Sequence, residues 1–247
     1  MQERRVLVTG GSRGIGRAIA VRLANEGWSV AIHYGQQREA TLALAAELGA
    51  QSSGVYGADF SDPRQATSLV QSVLQDGPLH AVVNNAGIYV PNDFLHASAV
   101  EFEATLRRTM AVNFESPLLI ARAAGQHFLV QGGGTILNVA SRVGFKGESG
   151  AVLYAASKAA LINLTRSLAV ELAPAKIWVC GIAPGWVDTA MARDGMPDRL
   201  QQILKDLPLG RMASPEDCAS AAAFLLRDEA SYLSGVVIDI NGASYFH

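Results

Sequence analysis

Short, strongly apolar runs rich in β-branched residues alternate along the whole chain with longer segments of helical period. The runs that we predict as strands are Arg5–Thr9, Ser29–Tyr34, Ser53–Ala58, Ala81–Asn84, Thr135–Ala140, Ile177–Ile182 and Val236–Ile240. The predicted helices include Gly16–Glu26, Glu39–Leu48, Pro63–Leu74, Glu101–Leu129, Val152–Leu172 and Pro215–Leu226. Strands separated by helices indicate a parallel sheet, and strands that are apolar on both sides fit a sheet covered on both faces. We therefore expect a doubly wound α/β fold of the Rossmann type with about seven parallel strands.

The chain shows no Pro/Gly/Ser-rich linker, internal repeat or low-complexity tract over its 247 residues. Single α/β units reach roughly 250 residues before they divide, so one domain is expected over residues 1–247. A cofactor-binding half is expected over about 1–135, and a catalytic and substrate half over about 136–247. The least regular long stretch, Asp188–Leu209, carries Gly195, Pro197 and Pro208. Either a substrate lid or an ordinary surface excursion is expected there.

A glycine-rich turn, Thr9–Gly16, joins the first predicted strand to the first helix. Glycines at Gly10, Gly14 and Gly16 allow a tight turn and a close approach of a pyrophosphate to the backbone. The N-terminus of the following helix offers free N–H groups and the positive end of its dipole. This combination predicts a dinucleotide site.

The end of the second predicted strand bears on the choice of dinucleotide. The run from Ser29 to Gly35 has no carboxylate, whereas an acidic residue at this place would hold a ribose 2′-hydroxyl. A 2′-phosphate would meet no repulsion there, and Arg13 in the glycine-rich turn could pair with it. The sequence therefore favours NADP(H) over NAD(H).

Tyr154 and Lys158 are spaced i,i+4, which places both on one face of a helix. A free tyrosine titrates near pH 10, and a neighbouring ammonium would lower its pKa by stabilising the phenolate. Tyr154 is thus the predicted proton donor to a carbonyl oxygen that receives a hydride at its carbon. Ser141, at the end of the fifth predicted strand, would hydrogen-bond the same oxygen.

Taken in order along the whole chain, these motifs resemble the short-chain dehydrogenase/reductase family. The resemblance is carried by Thr9–Gly16, Asp59, Asn84-Asn85-Ala86-Gly87, Asn113, Ser141, Tyr154, Lys158, Pro184-Gly185 and Thr189. It implies a catalytic set of Asn113, Ser141, Tyr154 and Lys158, in which Lys158 also binds ribose hydroxyls and Asn113 holds a water that links Lys158 to solvent. The implied cofactor site comprises Gly10, Ser12, Arg13, Gly14, Ile15, Gly16, Tyr34, Asp59, Phe60, Asn85, Ala86, Gly87, Tyr154, Lys158, Pro184, Gly185, Val187 and Thr189.

Within the family, the chain most resembles 3-oxoacyl-acyl-carrier-protein reductases, through Tyr34, Ser12-Arg13, Val143-Gly144 and Val237–Gly242. That resemblance implies NADPH-dependent reduction of a 3-oxoacyl thioester in fatty acid biosynthesis, with an acyl carrier protein as a candidate partner. An acidic carrier needs a basic docking surface. Cations available for it are Lys176, Arg166 and either Arg122 or Arg142, whereas Gly132–Gly134 and Ala173–Ala175 carry none. Two alternatives stay open, an enzyme acting on a small free alcohol or ketone and a non-catalytic NADP(H) sensor.

The remaining composition bears on location and partners. A net charge of −2 gives no reason to expect nucleic acid or an anionic membrane. The five histidines lack metal-ligand spacing, and Cys180 and Cys218 are expected as structural thiols. With no signal-peptide core and no apolar run near the roughly 20 residues that span a bilayer, a cytoplasmic protein is expected. The resemblance implies a homotetramer built through Glu101–Leu129, Val152–Leu172 and the last strand.

Overall fold

The computed structural model of the chain describes residues 4–193 and 200–247. Within these ranges, seven strands form one parallel sheet in the order β3-β2-β1-β4-β5-β6-β7. The strands are β1 Arg5–Val8, β2 Ser29–Tyr34, β3 Ser52–Gly57, β4 Ala81–Asn84, β5 Gly134–Val139, β6 Ile177–Pro184 and β7 Val237–Ile240. Every predicted strand is present, with ends that agree to within two residues. The predicted doubly wound α/β fold is confirmed.

Helices cover both faces of the sheet. They are α1 Gly14–Asn25, α2 Arg38–Leu48, α3 Arg64–Gln75, α4 Ala99–Met110, α5 Ser116–Gln131, α6 Val152–Leu172, α7 Ala190–Arg193, α8 Leu200–Lys205 and α9 Pro215–Leu225. Successive side chains of β1 enter opposite cores: Val6 and Val8 pack with α1 and α9, whereas Leu7 packs with α3 and α5. This alternation explains why the strands are apolar at every position.

The long helix predicted over Glu101–Leu129 is wrong as a single element. It is divided into α4 and α5 by a π turn at Ala111–Glu115, which contains Asn113. The Asn113 side chain accepts a hydrogen bond from the backbone N–H of Ile88 (2.9 Å) and donates to the Ile88 carbonyl (2.9 Å) and to Ser157 Oγ (3.1 Å). The π turn holds the Asn113 amide in the interior of the protein. There, the loop after β4 and helix α6 supply its hydrogen-bond partners.

The irregular stretch Asp188–Leu209 is only partly described. Gly195 and Pro197 lie outside the described residues, and the described parts form α7 and α8. Ile203 of α8 packs with Leu207 near Trp186, close to the end of β6. The substrate lid stays a prediction.

The two cysteines are buried packing residues. Cys180 lies in β6 and Cys218 in α9, and both thiols are free. Burial raises the pKa of each thiol to about 12, so both are protonated and unreactive at neutral pH. Nowhere in the described ranges does a helix combine the length and the apolar character needed to cross a membrane.

Candidate active site

A cleft of about 1520 Å³ runs along the carboxyl ends of the strands. A pocket for one small ligand usually measures roughly 300–1,000 Å³, so this cleft has room for a larger molecule or for two. It brings together Gly10, Ser12, Arg13, Gly14, Ile15, Gly16, Asp59, Phe60, Asn85, Ala86, Gly87, Ser141, Tyr154, Lys158, Pro184, Gly185, Val187 and Thr189. Tyr34 and Asn113, the other two predicted site residues, do not line it.

The glycine-rich turn that lines the cleft has little space for a side chain at its glycines. Gly10 and Gly14 adopt positive φ angles of 62° and 54°, a region that favours glycine. A Cβ atom on Gly16 would collide with the Gly10 carbonyl and with Nδ2 of Asn85. That Asn85 amide donates to the carbonyls of Thr9 (2.8 Å) and Gly10 (3.0 Å), which ties the loop after β4 to the turn. The backbone N–H groups at the start of α1 are therefore open to the cleft.

His33 fixes the same turn from β2, a role that the sequence did not reveal. Its Nδ1 accepts a hydrogen bond from the backbone N–H of Gly10 (3.1 Å), and its Nε2 donates to the Ala58 carbonyl (3.0 Å). The ring stacks on Phe60 with centroids 4.3 Å apart. Burial lowers the pKa of His33 to about 4, against the opposing effect of the Ala58 hydrogen bond, so the imidazole is neutral.

The predicted cofactor residues at the ends of β2 and β3 differ in where they lie. Asp59 lines the cleft, and its carboxylate accepts from the backbone N–H of Ser61 (2.9 Å). Tyr34 does not line the cleft, and its ring lies against Gly57 of β3. Residues 35–37 line the cleft after β2 in its place, and none of them carries a charge.

The catalytic candidates meet at the middle of the cleft. Ser141 follows β5 and begins a short 3₁₀ turn, while Tyr154 and Lys158 lie on α6. The Lys158 ammonium is 5.7 Å from the centre of the Tyr154 ring and donates a hydrogen bond to the Val139 carbonyl (2.8 Å). A carbonyl group placed between Ser141 and Tyr154 would meet two hydroxyl donors.

Burial is the largest influence on the pKa values of Tyr154 and Lys158 on α6. It raises the pKa of Tyr154 to about 12, with Tyr89 and Glu148 acting in the same direction and the Ser141 side chain against it. It lowers the pKa of Lys158 to about 8. The expected lowering of the Tyr154 pKa by Lys158 is therefore not found, because the ammonium bonds to a backbone carbonyl and not to the phenol.

Arg142 belongs to the cleft and not to a basic docking surface. Its side chain is 8% exposed, and its Nη2 donates to the carboxylate of Glu148 (2.8 Å). The guanidinium also lies 6.0 Å from the centre of the Trp186 ring. All three residues line the cleft. Glu148 lies six positions after Arg142 in the chain, and no local pattern in the sequence predicts that they pair.

Comparison with known proteins agrees with this geometry. Residues 10–243 match the family model described as "Enoyl-(Acyl carrier protein) reductase". The 3-oxoacyl-[acyl-carrier-protein] reductase of Staphylococcus aureus is 36% identical over 243 residues, which are 97% of each chain.

Solved structures show the same fold along nearly the whole length. A short chain dehydrogenase from Burkholderia cenocepacia in complex with NADP has a TM-score of 0.88 at 32% identity, covering 98% of this chain and 97% of the other. The 3-ketoacyl-(acyl-carrier-protein) reductase from Brucella melitensis complexed with NADH has a TM-score of 0.87 at 31% identity, covering 98% of both chains. With the family match over residues 10–243, these similarities show that the chain belongs to the short-chain dehydrogenase/reductase family of oxidoreductases.

Proposed function

We propose that this enzyme uses NADP(H) to reduce a carbonyl group, with Tyr154 donating the proton to the carbonyl oxygen. The observation that carries the proposal is the convergence of Ser141, Tyr154 and Lys158 in a cleft that begins at the glycine-rich turn. Bound there, the nicotinamide supplies the hydride. The similar proteins from Burkholderia cenocepacia and Brucella melitensis, described in complex with NADP and NADH, support the cofactor class.

The residues present fit a dinucleotide. The open backbone N–H groups at the start of α1 would hold the pyrophosphate, since Gly14 and Gly16 leave no side chain in the way. Arg13 is exposed on the cleft and would pair with a 2′-phosphate, while the uncharged residues 35–37 would not repel it. NADP(H) is therefore the preferred cofactor that we propose.

Tyr154 acts in this proposal as a neutral acid. Its raised pKa keeps the proton on the phenol until negative charge develops on the substrate oxygen. Ser141 donates a second hydrogen bond to that oxygen, and Lys158 would bind the ribose hydroxyls of the cofactor. Both N–H groups of the Asn113 amide donate to Ile88 and Ser157, so a water that links Lys158 to solvent could only donate to the amide oxygen or bind elsewhere.

A 3-oxoacyl thioester is the first substrate candidate, supported by the names of the reductases from Staphylococcus aureus and Brucella melitensis. An acyl carrier protein would dock on Arg122, Arg166 and Lys176, which are exposed. A small free ketone or alcohol is the second candidate. It is favoured by the absence of cations at residues 132–134 and 173–175, beside the expected docking surface.

The first test is NADPH consumption with acetoacetyl-CoA by the wild type and by Tyr154→Phe. We expect the variant to lose on the order of 10²- to 10⁴-fold in kcat, because phenylalanine keeps the ring but has no proton to give. NADPH affinity, measured by fluorescence titration, should stay within a few fold of the wild type. Turnover of simple ketones but not of acetoacetyl-CoA would favour the second substrate candidate. An unchanged kcat in Tyr154→Phe would contradict the proposed role of the phenol.

The second test concerns the cofactor preference. Arg13→Gln removes the proposed partner of the 2′-phosphate and should weaken NADPH binding by on the order of tenfold, the worth of a charged hydrogen bond. NADH binding should change little, because NADH lacks that phosphate. Equal weakening of both cofactors would show that Arg13 shapes the turn and does not read the 2′-phosphate.

A further inference from the structure

A partly buried ion pair lies beside the reacting groups. Arg142 follows Ser141 directly in the chain, and its partner Glu148 is 24% exposed. Glu148 is close enough to the Tyr154 phenol for its charge to raise the pKa of that group. Because Arg142, Glu148 and Trp186 all line the cleft, the pair lies where a substrate must bind if its carbonyl is to reach Tyr154.

The Arg142 guanidinium has more donors than acceptors. Of its five N–H groups, one donates to Glu148 at 2.8 Å, and a second approaches Ser244 Oγ at 3.4 Å, the limit for a hydrogen bond. Its Nε is buried and has no acceptor among the described residues. Each Nη keeps one further N–H group, and because Arg142 lines the cleft, the acceptor missing for these groups can be an oxygen atom of a bound molecule.

The charge balance indicates what kind of oxygen is missing. Glu148 already neutralises the Arg142 charge, and a second carboxylate would be repelled by it. A neutral carbonyl oxygen accepts a hydrogen bond without adding charge. Ser141 and Arg142 are adjacent in the chain and both line the cleft, so one bound substrate can contact both residues.

We propose that Arg142 is a specificity-determining residue that binds the ester or thioester carbonyl of a 3-oxo substrate while Ser141 and Tyr154 bind its keto oxygen. The inference rests on the proposed carbonyl reduction and narrows its substrate class. Neutral 3-oxo esters and thioesters are preferred over plain ketones, which lack the second oxygen, and over free 3-oxo acids, which bring a charge toward Glu148.

The experiment compares kcat/KM with NADPH for ethyl acetoacetate, 2-hexanone, acetoacetate and 4-hydroxy-2-butanone. The wild type should favour ethyl acetoacetate over 2-hexanone by on the order of tenfold to a hundredfold, the effect of one hydrogen bond to a charged donor. In the paired variant Arg142→Met/Glu148→Gln this ratio should fall toward one. Both residues are changed together because removing only Arg142 would leave a carboxylate buried without its partner.

Two further variants separate recognition from folding. Arg142→Lys keeps the positive charge but has fewer N–H donors than arginine. Its preference for ethyl acetoacetate over 2-hexanone should therefore lie between those of the wild type and the paired variant. Lys146→Met removes a neighbouring cation that does not line the cleft, and it should keep the wild-type ratio. NADPH titration of each variant reports whether the cofactor site is intact.

The outcomes are distinguishable. An unchanged ratio in the paired variant, or a wild type that prefers acetoacetate or 4-hydroxy-2-butanone, overturns the role of Arg142 and leaves carbonyl reduction standing. A wild type that binds NADPH but reduces none of the four ketones overturns the proposed reduction and this inference together. A ratio that falls toward one in the paired variant, is intermediate in Arg142→Lys and is unchanged in Lys146→Met supports both.

Discussion

Burial sets the protonation state of three side chains along the cleft. It keeps His33 neutral, keeps the proton on Tyr154, and brings the Lys158 pKa down to about 8. Each shift disfavours the charged form, as expected where water is excluded. At neutral pH His33 and Tyr154 are therefore uncharged, whereas Lys158 keeps most of its positive charge.

His33 makes the stability of the fold sensitive to acid. The unfolded histidine takes up a proton near pH 6.5, whereas the folded one resists until about pH 4, so stability falls as the pH drops through this interval. The loss attributable to His33 should reach about 3 kcal/mol by pH 4. Urea unfolding of the wild type and of His33→Gln at neutral pH and near pH 4.5 checks this. The variant should show the smaller acid effect, and equal pH dependence in both would contradict the assignment.

Single residues were predictable where a motif fixes their place in the chain. Tyr154, Lys158 and Ser141 were predicted from spacing and order, and the structure brings them together. His33 and Arg142 were not, because their roles come from distant partners. His33 bonds to residues 23 and 25 positions away, and Arg142 approaches Ser244, which is 102 positions away.

At the scale of elements, the turn between β1 and α1 has the least tolerance for change. His33 and Asn85 each form a hydrogen bond with the backbone of the turn, and its glycines lie close to neighbouring backbone atoms. A rigid turn keeps the N-terminus of α1 aimed at one point of the cleft, which suits binding of a phosphate group.

Gly16→Ala should disrupt this turn. Its new Cβ would meet the Gly10 carbonyl and the Asn85 amide, so the turn must shift, at a cost of about 1–3 kcal/mol in the free energy of unfolding. NADPH affinity should fall by more than about tenfold. Gly147→Ala is the matched control, because nothing lies within 4 Å of its Cβ position. Similar effects of the two substitutions in thermal unfolding and NADPH titration would contradict the packing argument.

Strands were predicted more accurately than the long helix. Each strand is an apolar run between turn residues, and its ends follow from the sequence to within two residues. The division of the helix at Ala111–Glu115 leaves the pattern of small and apolar residues continuous. The helix is divided where Asn113 forms hydrogen bonds with Ile88 and Ser157, and those contacts exist only in the folded chain.

The whole molecule leaves apolar side chains uncovered on the helices predicted as subunit contacts. Val100 of α4, Leu129 and Val130 of α5, and Val152 and Val170 of α6 are all exposed. Large exposed apolar areas commonly mark contact surfaces between proteins. We propose that they bury one another in a homotetramer of single-domain subunits.

Light scattering during size-exclusion chromatography tests the assembly. The wild type should elute with about four times the 26.1 kDa mass of one chain. Val170→Glu should shift the mass to a smaller species, because the side chain is 80% exposed in the subunit and only an interface would be harmed by its charge. A wild type that elutes as a monomer at micromolar concentration would contradict the proposed tetramer.

The strand order also determines when each strand can pair with its neighbours during translation. β1 leaves the ribosome early, but one of its two neighbours in the sheet, β4, begins only at Ala81. At a translation rate of about 5–20 residues per second, β1 therefore lacks this neighbour for several seconds. From β4 onward, spatial order and order of synthesis coincide, and β5, β6 and β7 each join an edge already in place. The sheet can therefore grow outward strand by strand during translation. Codons that slow translation between β1 and β4 would prolong the one interval in which the centre of the sheet has an open side.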